Sequence, residues 1–181
     1  MKNLKLINEH FNQCKVHTTP ESQYIHHLMD ILYDYGKKFK GGHIVEIGVE
    51  TMISSWAWLK SNPSKITLCD ISFKKAQHKL VEYKQLCYDN NIELVLEEKS
   101  SHDLNITDVD LLFIDGLHEY NHVLKELNLF ESKVKQYIIL HDTVKFPEVN
   151  SAKNIFLSTN KNWIIDLHID EFPGLTILKK M

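Results

Sequence analysis

From residue 43 onward the chain alternates short apolar, β-rich runs with amphipathic stretches. That alternation constrains the fold more than any other feature of the sequence. The β-rich runs are "HIVEIGV" (43–49), "KITLCD" (65–70), "IELVLEE" (92–98), "VDLLFID" (109–115), "QYIILHD" (136–142), "WIIDLHI" (163–169) and "GLTILKK" (174–180). Between them lie "SSWAWLKS" (54–61), "SFKKAQHKLVEYKQLCYDNN" (72–91), "HEYNHVLKELNLFESKV" (118–134) and "NSAKNIFLSTN" (150–160), which carry helical spacing. Val123, Leu127 and Phe130, for example, fall on one helical face. Strands separated by helices predict an α/β domain with a mainly parallel sheet. The run 109–115 is apolar enough to be buried on both sides, as central parallel strands are.

The first 40 residues differ in character. Residues 1–17 are polar and read as irregular, with room for a short helix. The next stretch predicts a helix, capped by Thr19 with Pro20 in its first turn and Ile25, Leu28, Met29 and Leu32 at helical spacing. The sequence thus divides into an N-terminal helical extension, 1–40, serving as a lid or a subunit contact, and an α/β domain, 41–181. A chain of 181 residues is long enough for one full core and a cleft. No apolar run approaches the roughly 20 residues of a membrane span, and the N-terminus lacks the apolar block of a secretion signal. No membrane partner is expected.

All 21 basic residues are lysine. With the abundance of Asn and Ile, this marks an AT-rich coding genome, such as that of a phage or a low-GC bacterium. It also removes the guanidinium fork as a means of gripping phosphate or carboxylate. The net charge of -3 gives no basic face for nucleic acid, so a nucleic-acid partner is not expected. Cys14, Cys69 and Cys87 are odd in number and widely spaced, which fits inert thiols in a reducing cytoplasm.

In open α/β sheets, ligands bind beyond the carboxyl ends of the strands. Each of the first five strand ends here carries acidic or polar groups: Glu46 and Gly48, then Asp70, then Glu98, Ser100 and Ser101, then Asp115 with His118 just beyond, then His141 and Asp142. One or two such residues would be ordinary. Five ends in series predict a cleft. Asp70 has two readings, as an acceptor for ribose hydroxyls and as a cap for the following helix. His118 is a candidate general base, or else a helix-start histidine bonded to backbone.

The stretches "VEIGVETMISSWAWL", "ITLCDIS", "LLFIDGLHEYNHVLKEL" and "YIILHDT" resemble class I S-adenosylmethionine-dependent methyltransferases. More narrowly they resemble the small group related to sugar O-methyltransferases and cephalosporin-hydroxylase-like proteins. The resemblance runs from about residue 20 to the C-terminus. It implies a single Rossmann-like domain with an antiparallel C-terminal strand. It implies S-adenosylmethionine as cofactor, with Glu46 and Gly48 at its methionyl part, Asp70 at the ribose, Ser100 and Ser101 near the adenine, and Asp115 beside them. It implies a Mg²⁺ site from Asp115, His141 and Asp142, and Asp115, His118 and His141 as the residues facing a small, hydroxylated, sugar-like acceptor. Homo-oligomers are compatible with it.

The chain departs from the family at its first motif. Where the family has an acid-x-Gly-x-Gly-x-Gly turn, Glu50 and Met52 stand at the second and third glycine positions. Glycine permits positive φ and close approach of backbone to ligand, so Met52 is expected to intrude on the methionine end of the cofactor and Glu50 to set a charge near its carboxylate. Two other functions follow from that departure: a methyltransferase-like binding protein without methyl transfer, and an enzyme turning the same cofactor to different chemistry.

Overall fold

A computed structural model describes residues 1–16 and 25–181. Seven strands, β1 (His43–Ile47), β2 (Lys65–Asp70), β3 (Glu93–Glu98), β4 (Val109–Ile114), β5 (Val134–His141), β6 (Trp163–Ile169) and β7 (Leu175–Lys180), form one sheet in the order β3-β2-β1-β4-β5-β7-β6. β1 to β5 pair in parallel, and β7 inserts antiparallel between β5 and β6. This is the expected Rossmann-like α/β domain, with its one reversed strand close to the C-terminus.

Alternation along the strands divides the core in two. Ile44, Leu111, Phe113 and Ile139 face one layer, and Val45, Leu112, Ile114, Ile138 and Leu140 face the other. The first layer is covered by helices α1 (Leu4–Val16), α2 (Met29–Gly36), α3 (Ser55–Ser61) and α4 (Gln77–Asp89), the second by α5 (Tyr120–Phe130) and α6 (Pro147–Thr159). In α5 the residues expected to share a face, Val123, Leu127 and Phe130, are all buried.

Two N-terminal expectations change. Residues 4–16 form a regular helix, where an irregular segment with room for only a short helix was expected. Ile7, Phe11 and Cys14 fall at i, i+4 and i+7 and are buried. Burial of a large apolar side chain contributes roughly 1.5–3 kcal/mol, enough to order a segment whose mean hydropathy is low. The Thr19 cap and Pro20 lie outside the described residues. Among the described residues the predicted helix is divided: a 3₁₀ turn at His26–Leu28 leads into α2, and a second 3₁₀ turn, Lys37–Phe39, ends it.

Strand register levels the carboxyl ends that matter. Ile47 pairs with Cys69 and Ile114, and Ile114 with Leu140. The next residues along, Gly48, Asp70, Asp115 and His141, therefore stand in a row along one edge of the sheet.

Candidate active site

Above that row lies a cavity of about 510 Å³, within the range of small-molecule sites. Gly48, Asp70, Ser100, Ser101, Asp115, His118, His141 and Asp142, all expected from the sequence, line it. Glu46 does not. Its carboxylate is fully buried behind Ser54, accepting hydrogen bonds from the hydroxyls of Ser54 and, at 2.6 Å, Ser55. Burial, only partly opposed by the two hydroxyls, pushes the Glu46 carboxyl up to about 8. Its visible role is to fix the start of α3.

The turn after β1 keeps the shape of a glycine turn without the glycines. Gly48 has φ +82, and a Cβ there would meet the Asp115 carbonyl oxygen at 2.1 Å. Its glycine is thus required by the neighbouring strand end. Glu50 and Met52 adopt φ 43 and 59, the left-handed region. L-residues pay roughly 1–2 kcal/mol there, so contacts elsewhere must hold the turn. The Oδ2 of Asp70 accepts from the amides of Val49 and Glu50 at 2.8 and 2.9 Å, while its Oδ1 accepts from Ser72 at 3.0 Å. Asp70 is therefore a cap for the next segment and a brace for the turn at once. The expected intrusion of Met52 does not occur: its side chain is fully buried in the core. The left-handed backbone turns it away from the cleft. Glu50 reaches the rim, where Lys75 holds its carboxylate at 2.7 Å.

At the other end of the row, four side chains interlock. His118 Nε2 lies 3.0 Å from Asp142 Oδ2 and 3.4 Å from Asp115 Oδ1. His141 Nδ1 lies 3.0 Å from Asp115 Oδ1. The His118 ring stacks on Phe146, 4.3 Å away and within 8° of parallel. Asp142 takes φ 59, a conformation Asp tolerates better than most residues. Burial pulls the His118 imidazole down, but its bonds to Asp115 and Asp142 outweigh this and push it up to about 9. Burial pushes the Asp115 carboxyl up, but the charge of His141 and the bonds from both histidines hold it at about 2. For His141, burial is likewise outweighed by Asp115, and the shift is upward. At neutral pH the His118 imidazole keeps its proton between Asp115 and Asp142. His118 is therefore a proton carrier there, not the free base that an ordinary histidine would supply.

Among the described residues, the group whose ligand atoms come close enough to hold a cation has His118 where the resemblance implies His141. Ligand atoms of Asp115, His118 and Asp142 lie within 4.8 Å of one another. His141 stands behind them, its Nδ1 committed to Asp115 and its Nε2 buried without a hydrogen-bond partner. Asp142 Oδ1 is also buried without a hydrogen-bond partner, although His141 Nδ1 lies 3.5 Å from it.

A third cluster went unnoticed in the sequence. Ser101 donates to Glu126 Oε1 at 2.5 Å and lies 3.2 Å from His122 Nε2. Glu126 is fully buried, lines the cavity, and leaves Oε2 without a hydrogen-bond partner. A carboxylate on the inward face of α5, between Val123 and Leu127, was the available signal. Ser100 is turned to local work: its hydroxyl accepts from the His102 amide at 3.3 Å.

Residues 45–143 match the model of a family described as a methyltransferase domain, and the chain belongs to that family. No curated protein matches it significantly. Among solved structures it is similar to an S-adenosylhomocysteine-bound methyltransferase from Podospora anserina, with 14% identity, TM-score 0.65, and 100% of this chain and 89% of that one covered. It is similar also to a caffeoyl-CoA O-methyltransferase candidate from Staphylococcus aureus, with 14% identity, TM-score 0.64, and 100% and 93% covered. A small RNA methyltransferase shares the fold too, with 12% identity and TM-score 0.66 over 85% of this chain and 25% of that one. The fold is that of the class I S-adenosylmethionine-dependent methyltransferases, and the chain is a methyltransferase-family enzyme.

Proposed function

We propose that this chain is an S-adenosylmethionine-dependent O-methyltransferase acting on a hydroxyl of a small polar, sugar-like acceptor with the help of a divalent cation. The observation that carries this reading is the Asp115–His118–Asp142 group at the ends of β4 and β5, opening into the same cavity as the Gly48 turn and Asp70. A donor site and an acceptor-activating site within one cavity are what transfer to a hydroxyl requires.

The methyl of the cofactor is already activated by its sulfonium, so the chain has to hold, orient and deprotonate. In this reading the turn 48–51 and Ser54 receive the methionyl part, Asp70 faces the ribose, and Ser101 with Glu126 faces the adenine. Asp115 and Asp142 supply carboxylate oxygens and His118 an imidazole nitrogen to the cation. A bound cation lowers the pKa of a hydroxyl that it touches. A donor set that includes imidazole suits Mn²⁺, Fe²⁺ or Zn²⁺ better than Mg²⁺, which prefers oxygens alone. To serve as ligand, His118 must give up the proton that the two carboxylates stabilise, so cation and proton compete for it.

The small-molecule acceptor is supported by the absence of arginine and the net charge of -3, although an RNA methyltransferase shares the fold. Ile25, within the N-terminal segment, lines the cavity, which favours a covering role for residues 1–40 over a purely subunit-contact role. The three cysteines are free and buried, in keeping with a reducing cytoplasm. The binding-protein alternative rests on Glu50 and Met52, and it weakens once Met52 is seen in the core.

Calorimetric titration with S-adenosylhomocysteine, with and without Mn²⁺ or Mg²⁺, tests the reading. Micromolar binding is expected. Absence of binding in every condition would overturn the proposal. Release of S-adenosylhomocysteine and methylated product in equal amounts, on screening hydroxylated acceptors, separates methyl transfer from other uses of the cofactor.

A further inference from the structure

The glycine-poor turn is held from outside, by the helix that follows β2. Lys79, in the first turn of α4, donates from Nζ to the carbonyl of Thr51 at 2.7 Å. Tyr83, one helical turn further on, donates from its hydroxyl to the carbonyl of Ser55 at 2.9 Å. The spacing i, i+4 on α4 is matched by i, i+4 on the segment it holds. Thr51 is the residue between the two left-handed positions, Glu50 and Met52. From the other side Asp70 holds the amides of Val49 and Glu50, and the Met52 side chain is sunk in the core.

We infer that Lys79 is a positioning residue for the cofactor turn, fixing the Thr51 carbonyl so that a turn lacking two glycines keeps a glycine-like path. The inference rests on the methyltransferase reading for its ligand, but the geometry it invokes belongs to the chain alone. Where glycine would adopt positive φ at little cost, Glu50 and Met52 are drawn toward negative φ. Either relaxation would displace Thr51 and Glu50, both in the cavity wall. A hydrogen bond from a charged donor is stronger than one from a neutral donor, and Lys79 is half-withdrawn from water, where such a bond is stronger still. With no arginine in the chain, lysine is the one side chain of that length that carries a permanent positive charge.

The test compares wild type with Lys79→Met, Lys79→Arg and, as a control on the same helix, Lys84→Met, all checked for unchanged melting temperature within a few degrees. Lys79→Met is expected to weaken S-adenosylhomocysteine binding roughly tenfold, the order expected for loss of one charge-assisted bond. Lys79→Arg, which keeps a cationic donor, is expected to recover most of it, and Lys84→Met to leave it unchanged. A merely structural lysine would not show that rescue. Amide hydrogen exchange over residues 49–53 is read on the same proteins without ligand and is expected to speed up in Lys79→Met alone. Equal exchange in wild type and Lys79→Met overturns the inference whatever the ligand proves to be. Failure of wild type to bind S-adenosylhomocysteine, with exchange altered as expected, overturns the methyltransferase reading and leaves the positioning role standing.

Discussion

His118 Nε2 and Asp142 Oδ2 lie 3.0 Å apart, although 23 residues of chain, including all of α5, run between them. The contact joins the loop after β4 to the end of β5 and closes the Asp115–His118–Asp142 group proposed to hold a cation. Asp142→Asn is expected to abolish Mn²⁺ binding, read by calorimetry or by electron paramagnetic resonance of the bound ion. It should change S-adenosylhomocysteine affinity by less than about threefold, since Asp142 is placed on the acceptor side. Equal loss of both ligands would show that the two ends of the cavity do not act separately.

Met52 and Glu50 occupy equivalent glycine positions in the family pattern, yet they should respond oppositely to glycine. Met52→Gly removes a fully buried side chain. The cavity left behind costs about 2 kcal/mol or more, even after relief of positive φ. Glu50→Gly loses an exposed ion pair worth about 0–1 kcal/mol and gains relief of a comparable size, so stability should change by less than about 1 kcal/mol. Urea unfolding of the two variants checks this. Equal destabilisation would mean that Met52 does not anchor the turn.

Glu126 offers a buried, unpartnered carboxylate oxygen at the end of the cavity nearest Ser101. Such an atom is suited to an exocyclic amine on a flat heterocycle, which the reading above places there. Glu126→Ala should weaken S-adenosylhomocysteine binding by about tenfold, the order of one hydrogen bond to a charged group. Glu126→Gln, which presents an amide oxygen of similar shape, should weaken it less. Unchanged binding in both would remove Glu126 from the ligand site.

How far the sequence revealed all this differs by element. β1, β2, β4 and β5 were legible because strands buried on two faces must be largely apolar, as "LLFI" (111–114) is, and the edge strand β3 was legible from its apolar run "LVL" (94–96). The row of strand-end residues was legible for the same reason, since the strands announce where they stop. Helix α1 carried its signal in Ile7, Phe11 and Cys14 but was diluted by polar neighbours. The direction of Met52 was not legible, because it follows from a left-handed backbone that the residue's own identity disfavours. That His118 and not His141 joins the two aspartates in the group whose ligand atoms lie within 4.8 Å of one another was not legible either. It depends on how the loop after β4 folds back onto Phe146, a contact between segments far apart in sequence.

Glu46 makes the sharpest pH prediction. Its carboxyl, fully buried between Ser54 and Ser55, is pushed up from the ordinary 4.5 to about 8. A folded-state pKa above the unfolded one means that the folded protein binds the proton more tightly. The stability this gives is fully present below about pH 4.5 and is lost as pH rises through about 8. Wild type should therefore lose stability relative to Glu46→Gln across that window, by an amount on the order of a few kcal/mol. The intercept will differ between the two proteins, because glutamine has one acceptor oxygen for two serine hydroxyls. The slope of the difference is the prediction. Urea unfolding of both proteins at pH 5, 6.5 and 8 measures it, and parallel curves would mean that Glu46 is ionised throughout. Binding of a ligand with an ammonium group beyond Ser54 should flatten the wild-type slope, because a nearby cation favours the carboxylate.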